Sequence, residues 1–277
     1  MSNNPAGDGV RSIRPIIASG KVKLSAIDTD STCSFKGDKA ATAALLAQLN
    51  ARRAELQNVL YAEHKRKVLV VLQAMDTGGK DGLIRKVFSG VNPQGVRVAS
   101  FKAPTQDELD HDYLWRVHQQ VPAKGELVVF NRSHYEDVLI TRVHGWIDAR
   151  TAKRRYRQIN DFEAMLVEEG TLVLKFFLHI SKEEQKRRLQ DRLDDPAKNW
   201  KFNAGDLAER EKWAAYQHAY EDAIEATSSL HAPWYIVPAD KKWIRDLYVG
   251  SVLVTALEGL DMRYPDPAPG LDKVVIK

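Results

Sequence analysis

The chain has 277 residues and a mildly basic net charge of +4, which is compatible with a polyanionic ligand without identifying one. Its composition, 44% hydrophobic and 28% charged, is that of a globular protein with a substantial core, and no apolar run approaches the roughly 20 residues that a membrane span needs. The single cysteine, Cys33, excludes an internal disulfide and a cysteine metal cluster, and it favours a reducing, cytoplasmic location.

The chain opens with a polar stretch, MSNNPAGDGVRS, that lacks the apolar region of a signal peptide. We therefore expect residues 1–34 to form a leader that is largely disordered or extended. Residues 40–64 carry apolar side chains at helical spacing, which predicts one long helix or two before the first core strand. Near the other end, PDPAPG begins a short tail at residues 265–277.

Between these segments, apolar runs alternate with helical patterns. The predicted strands are residues 68–72, 97–101, 126–130, 172–178 and 234–237. The predicted helices after the first strand begin at residue 83 and then cover 106–119, 152–168, 182–193, 204–228 and 241–260. This alternation predicts an α/β fold with a parallel sheet flanked by helices, in which the chemistry gathers beyond the carboxyl ends of the strands.

The first predicted strand leads into the most informative segment, VLVVLQAMDTGGKDG at residues 68–82. A buried strand, a small-residue turn and a helix start make a phosphate-binding loop, because backbone N–H groups and the helix dipole then face the anion. The match to G-x-x-x-x-G-K-[ST] is imperfect, since Ala74 and Asp81 replace the first glycine and the hydroxyl. The alternative is a surface turn with Lys80 solvated. The candidate phosphate-binding residues are Thr77, Gly78, Gly79, Lys80, Asp81 and Gly82.

A carboxylate inside this turn, Asp76, points to a metal ion. It would be a poor neighbour for bare phosphate, and Mg²⁺ prefers one or two carboxylates together with phosphate oxygens and water. Asn131 directly follows the third predicted strand, at the position of a Walker B acid, and its carbonyl can coordinate a hard cation. Asp76 and Asn131 are therefore the predicted Mg²⁺ ligands.

Two charged residues follow the same strand end. Arg132 can grip a phosphate with its bidentate fork. Glu136 lies in the first turn of a helix that Ser133 is expected to cap, and it is a candidate for the site as well as an acid favoured at that position. Strand-end polarity alone is the alternative interpretation of Asn131 and Arg132.

The end of the second predicted strand offers another pair of basic residues. Lys102 follows the strand directly and can reach an anion at the same edge, and Arg116 lies on the helix behind it. We therefore expect both to contribute to phosphate or nucleotide binding. Thr105 and Glu108 have the spacing of a capping box, which predicts the start of that helix.

The segment after the fourth predicted strand, residues 182–212, is strongly basic. Ser181 with Glu184 predicts a second capping box at its start. A charged helix is usually only a solvated face, but this one follows a strand that ends at the phosphate edge. It resembles the lid of nucleotide kinases, which closes over transferring phosphates. Arg188 and Arg192 lie four residues apart on one face and are the candidate lid arginines.

Three separated blocks resemble the second polyphosphate kinase family: MDTGGKDGLIRKVFSGVNPQGVRVASFKAPTQDELDHDYLWR, GELVVFNRSHYEDVLITRVHGW and FLHISKEEQKRRLQDRLDDPAKNWKF. They agree with the family in order and spacing, and the resemblance covers about residues 45–262. The departures at Ala74 and Asp81 are normal in that family. Many members have Asp at the position of Asn131, and the Asn resembles the subgroup that phosphorylates both AMP and ADP.

The resemblance implies a thymidylate kinase-like P-loop fold at residues 35–264, with a helical lid at about 182–212. It implies reversible, Mg²⁺-dependent transfer of a phosphoryl group between inorganic polyphosphate and AMP or ADP. Family membership also suggests a homo-oligomer, a dimer or tetramer. The residues to which it assigns catalysis are Asp76, Lys80, Asn131, Arg132, Arg188 and Arg192.

Two other functions remain open at this point. An ATP-dependent nucleotide kinase would share the fold and the lid, and a non-catalytic protein could bind polyanions or nucleotides. We predict no nucleic-acid partner, because zinc-finger spacing, leucine heptads and an aromatic RNA-binding signature are lacking. We likewise predict no membrane partner.

Overall fold

The computed structural model describes residues 13–276 and centres on a six-stranded sheet in the order β1-β6-β5-β2-β4-β3. The two-residue edge strand β1 runs antiparallel to β6, and the other neighbours pair in parallel. The strands are β1 Ile16–Ile17, β2 Lys67–Ala74, β3 Val96–Ser100, β4 Leu127–Asn131, β5 Thr171–His179 and β6 Trp234–Pro238.

Helices connect the parallel strands and flank the sheet. They are α1 Lys39–Glu63, α2 Lys80–Val87, α3 Gln106–Leu109, α4 Trp115–His118, α5 Ile140–Val143, α6 Ala149–Glu168, α7 Lys182–Asp194, α8 Gly205–Glu211, α9 Trp213–Thr227 and α10 Lys242–Glu258. Among them, α1 packs on α10 and α6 packs on α9. Short 3₁₀ helices at His134–Val138 and Asn199–Lys201 lie beside the site described below.

Strand β2 lies in the middle of the sheet, and its position explains its sequence. Its residues 68–74 are all buried, as expected for a parallel strand that is covered on both faces. Leu72 pairs with Asn131 of β4 on one side and with Phe176 of β5 on the other. The carboxyl ends of these neighbouring strands therefore meet at one edge, and the segments that follow them lie side by side.

Two predicted helices are interrupted in the structure. The predicted helix 106–119 splits into α3 and α4, since the Asp112 side chain accepts a hydrogen bond from Leu114 N and competes with helical bonding. The predicted helix 204–228 breaks at Lys212, between α8 and α9. The capping box of Thr105 and Glu108 is confirmed in both directions.

Part of the predicted leader packs into the core. Ile13 and Leu24 are buried, and β1 extends the sheet beyond β6, because this segment carries apolar residues at the sheet edge. The first part of the leader, residues 1–12, lies outside the described residues. Among residues 13–276, no helix combines the length and the apolar character that a membrane crossing requires.

Candidate active site

The loop between β2 and α2 folds back over its own beginning. Gly78 N donates a hydrogen bond to Met75 O at 2.9 Å, and a Cβ atom on Gly78 would collide with the side chain of Ala74. Gly79 has a φ of +98° and precedes the first helical residue, Lys80. Thr77 also has a positive φ, +60°, which is rare for a branched residue and typical of functional turns. The small residues thus permit a tight loop at the amino end of α2.

Lys80 is half-buried, and its Nζ donates to Ala74 O at 3.2 Å, inside the curve of the loop. Burial lowers the pKa of this ammonium, and nearby Arg132 lowers it further. The carboxylates of Asp76, Glu136 and Asp81 oppose that decrease. Lys80 therefore lies in a dense field of charges, with hydrogen-bonding capacity left for an anion.

Asp76 and Arg132 form an ion pair across the ends of β2 and β4. Arg132 Nη2 lies 3.2 Å from Asp76 Oδ1, and the two side chains are 42% and 26% exposed. Arg132 has a φ of +63°, a conformation that costs about 1–3 kcal/mol and concentrates at functional sites. The pair is open to solvent on one side, so both groups can exchange partners with a ligand.

Asn131 and Asp81 are also in contact, since Asn131 Nδ2 donates to Asp81 Oδ1 at 2.9 Å. This bond engages the amide nitrogen of Asn131 and so fixes the orientation of its side chain. Within residues 13–276, no group of three or more His, Cys, Asp or Glu side chains is placed to hold a metal ion. One carboxylate from Asp76 and one amide oxygen from Asn131 fit Mg²⁺, which completes its shell with phosphate oxygens and water.

A basic cavity of about 420 Å³ opens beside the loop. Nine basic side chains and four carboxylates line it, so the cavity carries a strong net positive charge. The basic side chains come from α2, the residue after β4, the lid helix α7, the 3₁₀ helix that follows α7 and the start of α10. The basic residues of this cavity are Lys80, Arg85, Arg132, Arg188, Arg192, Lys198, Lys201, Lys242 and Arg245.

The two candidate lid arginines have different surroundings. Arg188 is 5% exposed and braces the loop, because its Nη1 donates to Thr77 O at 3.1 Å while its Nε pairs with Glu184 at 2.7 Å. Glu184 is thus engaged elsewhere, and the predicted capping box at Ser181 is only half formed: Glu184 N donates to Ser181 Oγ at 3.0 Å. The side chain of Arg192 is more exposed than that of Arg188, and its Nη1 contacts Lys201 O and the carboxylate of Asp206.

A second cavity, of about 450 Å³, lies on the other side of Arg132. Phe101, His111, Tyr113 and Trp146 line it, and Trp146 is 66% exposed. The candidate residues Lys102 and Arg116 border this cavity and not the basic one. Arg116 is buried, pairs with Glu108 at 3.3 Å and donates to Lys102 O at 3.0 Å.

One residue, Arg132, borders both cavities. A smaller cavity of about 250 Å³ lies between them and is lined by Asp76, Arg132 and Glu136. Burial raises the pKa of Glu136, while Arg132 and Lys80 hold it down. A positively charged cavity and an aromatic cavity thus meet at Arg132, beside Asp76.

Comparison with known proteins agrees with this geometry. A family model described as polyphosphate kinase 2 matches residues 36–265. The chain belongs to the polyphosphate kinase 2 family. The membership predicted from the three sequence blocks is confirmed, and every candidate site residue lies within the matched range.

Relatives and solved structures of polyphosphate kinase 2 proteins match nearly the whole chain. An AMP/ADP-polyphosphate phosphotransferase of Meiothermus ruber is 59% identical over 258 residues, 93% of this chain and 97% of that protein. An ADP-polyphosphate phosphotransferase of Rhodopseudomonas palustris is 47% identical and covers 82% of each chain. The crystal structure of polyphosphate kinase 2 from Arthrobacter aurescens has a TM-score of 0.89 at 50% identity and covers 91% of this chain and 90% of that one. The predicted P-loop kinase fold is confirmed.

Arg245 and Lys242 of this polyphosphate kinase 2 chain are among the basic residues of the cavity that the sequence patterns did not single out. Arg245 is 2% exposed, pairs with Asp246 at 2.6 Å and donates to Gly79 O at 3.2 Å, where a Cβ on Gly79 would collide with it. Lys242 lies one turn earlier in α10 and lines the basic cavity. A signal was available, because both follow the fifth predicted strand and so belong to the same sheet edge.

Proposed function

We propose that this protein transfers a phosphoryl group between inorganic polyphosphate and AMP or ADP, reversibly and with Mg²⁺. One arrangement supports this above all: the basic cavity and the aromatic cavity meet at Arg132, beside Asp76 and Lys80. A phosphate held in one cavity and a nucleotide held in the other would have their reacting ends at this junction.

The basic cavity suits a polymer of phosphates better than a single small anion. Its nine basic side chains extend from the loop to the lid, so several phosphate units can be bound in a row. Lys80 and Arg132 would hold the terminal unit, and Lys198 and Lys201 the units farther along. Such binding weakens with salt, because it rests on charge.

The aromatic cavity suits the nucleotide. Exposed ring faces such as that of Trp146 offer stacking to a base, and Arg155 already stacks on Tyr113 at 4.6 Å. Lys102 and Arg116, the candidate nucleotide-binding residues, border this cavity. Glu136 borders it as well and would contact the end of the nucleotide nearest Arg132.

The chain's own residues supply position and electrostatics for an in-line transfer. Lys80 and Arg132 would stabilise charge on the migrating group. Asp76 and Asn131 would hold Mg²⁺, which when bound neutralises charge on the phosphoryl oxygens. The acceptor is already a phosphate anion, so no base has to remove a proton. Thr77, Gly78, Gly79, Asp81 and Gly82 would complete the loop around the anion.

The lid, residues 182–212, would complete the site by covering the basic cavity. We propose that Arg192 contacts the donor phosphates when the lid closes, because it is partly exposed and lines the basic cavity. Arg188 would hold the loop by donating a hydrogen bond to the carbonyl oxygen of Thr77. We also propose that Arg188 contacts phosphate. The dimeric or tetrameric state and the cytoplasmic location stay predictions.

A single assay separates this function from the alternatives. The protein is supplied with polyphosphate, Mg²⁺ and either AMP or ADP, without ATP, and ATP is measured with luciferase and ADP by chromatography. We expect product from both nucleotides, in line with the name of the Meiothermus relative. A nucleotide kinase would instead need ATP as donor, and a binding protein would give no turnover with either donor. Lys80→Ala is the negative control.

A further inference from the structure

A lid carboxylate, Asp206, lies inside the basic cavity. It belongs to the first turn of α8, and its Oδ2 is 3.2 Å from Nη1 of Arg192 on α7. The two side chains are 17% and 23% exposed. An arginine that faces the phosphate-binding cavity is therefore already paired with an anion from the chain itself.

The surroundings of Asp206 are those of the transfer centre. Burial raises the pKa of its carboxyl, and the charge of Asp76 raises it further. The cations Arg192, Arg132 and Lys80 oppose that increase. The carboxylate thus interacts with the same groups that a bound phosphate would meet.

Contacts other than this pair also hold α8 in place. At its other end, Glu209 accepts a hydrogen bond from the Tyr216 hydroxyl at 2.5 Å and lies 3.0 Å from His144 Nε2. These contacts tie α8 to α9 and to the segment after α5. If the Asp206–Arg192 pair opens, α8 therefore keeps its contacts at the Glu209 end.

We propose that Asp206 is an internal competitor for polyphosphate: it occupies Arg192 in the free protein and is displaced when the polymer enters. The inference rests on the proposed function of the basic cavity. A phosphate chain carries more charge and more acceptor oxygens than one carboxylate, and it also reaches Lys198 and Lys201, so it wins the exchange. Asp206 thereby weakens polyphosphate binding and sets how much polymer is needed for turnover.

The test compares Asp206→Asn with a matched control, Asp191→Asn. Asp191 also lines the basic cavity, but it is 43% exposed and pairs with Arg187 at 2.8 Å. Each variant removes one negative charge from the same cavity, but only the first removes the carboxylate that pairs with Arg192. We expect Asp206→Asn to lower the KM for polyphosphate about three- to tenfold below that of Asp191→Asn, with the change in KM and not in kcat.

Three outcomes would overturn the inference. Equal KM values for the two variants would mean that only the overall field matters. A higher KM in Asp206→Asn would mean that the carboxylate supports the lid. A lower kcat with a raised Mg²⁺ requirement would make Asp206 a metal ligand. Melting temperatures of both variants verify that the fold is retained.

A direct binding measurement keeps this inference separate from the proposed function. Titration calorimetry with polyphosphate alone, without nucleotide, reports the affinity of each variant even if wild-type protein shows no turnover. Absence of wild-type turnover would refute the proposed reaction. Equal calorimetric affinities of Asp206→Asn and Asp191→Asn would refute the competitor role.

Discussion

Two clusters of charge in this protein contain similar residues and differ in what they leave unsatisfied. Behind the sheet edge, Lys175 of β5 lies 2.5 Å from Glu163 of α6, and both are fully buried. Lys175 Nζ also donates to Tyr135 Oη and Thr227 O, so its three hydrogens are all used. At the edge itself, Lys80 donates to one carbonyl in the described part of the chain.

Access to solvent and unused hydrogen-bonding groups explain why one cluster can bind a ligand and the other only stabilises the fold. Lys175 and Glu163 are closed off from solvent, and hydrogen bonds with each other and with neighbouring groups satisfy both. Their cluster also includes Tyr135, which lies in the 3₁₀ helix His134–Val138, so it supports the segment that carries Arg132 and Glu136. The edge cluster keeps unused donors and acceptors and faces two cavities.

The largest expected effect breaks the buried cluster. Lys175→Met leaves Glu163 buried without its cation, and we expect the free energy of unfolding to fall by about 3–5 kcal/mol. Guanidinium denaturation measures this loss. The double variant Lys175→Met/Glu163→Leu should recover most of it, because an apolar pair replaces the charges. A loss below about 1 kcal/mol in the single variant would contradict the assignment.

Next comes the lysine of the edge cluster. Lys80→Ala should lower kcat about 100-fold or more, because a charge that stabilises the transition state is lost. The free energy of unfolding should change by less than about 1 kcal/mol, since the half-buried ammonium makes one hydrogen bond here. Steady-state kinetics and denaturation are measured on the same preparation. Unchanged turnover would remove Lys80 from the site.

A smaller effect is expected at the metal. Asp76→Asn keeps the shape of the side chain and removes its charge, so we expect the Mg²⁺ concentration for half-maximal rate to rise about tenfold. A Mg²⁺ titration at saturating substrates measures it. An unaltered metal dependence would argue against a ligand role for Asp76.

A carboxylate that lines the aromatic cavity, Asp137, should carry a cost in stability near neutral pH. Burial raises the pKa of Asp137 to about 6, although Arg155 opposes the increase. Between that value and the ordinary 3.8, the folded protein binds a proton that the unfolded chain does not, so this contribution to stability grows as pH falls. Asp137→Asn should therefore stabilise by about 1 kcal/mol at pH 7.5 and by less at pH 5. Equal gains at both pH values in thermal denaturation would contradict this.

The smallest expected change concerns nucleotide choice. Asn131→Asp adds a charge next to the Asp81 contact, and we expect the ratio of AMP to ADP rates to change about threefold. Initial rates with each nucleotide and excess polyphosphate measure the ratio. If the ratio stays the same, Asn131 does not set the preference.

Local patterns determined much of what the sequence analysis predicted correctly. Strand β2 and the capping box of Thr105 and Glu108 depend on residues within a few positions of one another, and both were predicted in place. The Gly78–Gly79–Lys80 turn is a local pattern as well. The parallel sheet followed from alternation alone, because short connections leave few topologies open.

Contacts between distant segments were decided only by the tertiary structure. Arg245 reaches Gly79 from 166 residues away, Arg188 reaches Thr77 from 111, and the breaks in the predicted helices depend on neighbours that periodicity does not show. The sequence pattern of β5 likewise does not reveal that Glu163 is the buried partner of Lys175. Local patterns were enough to predict the loop, the strands and the family, since the hydrogen bonds and burial patterns there involve residues close in the chain. Packing across the sheet edge determines which charged groups are buried and paired and which remain exposed to a ligand.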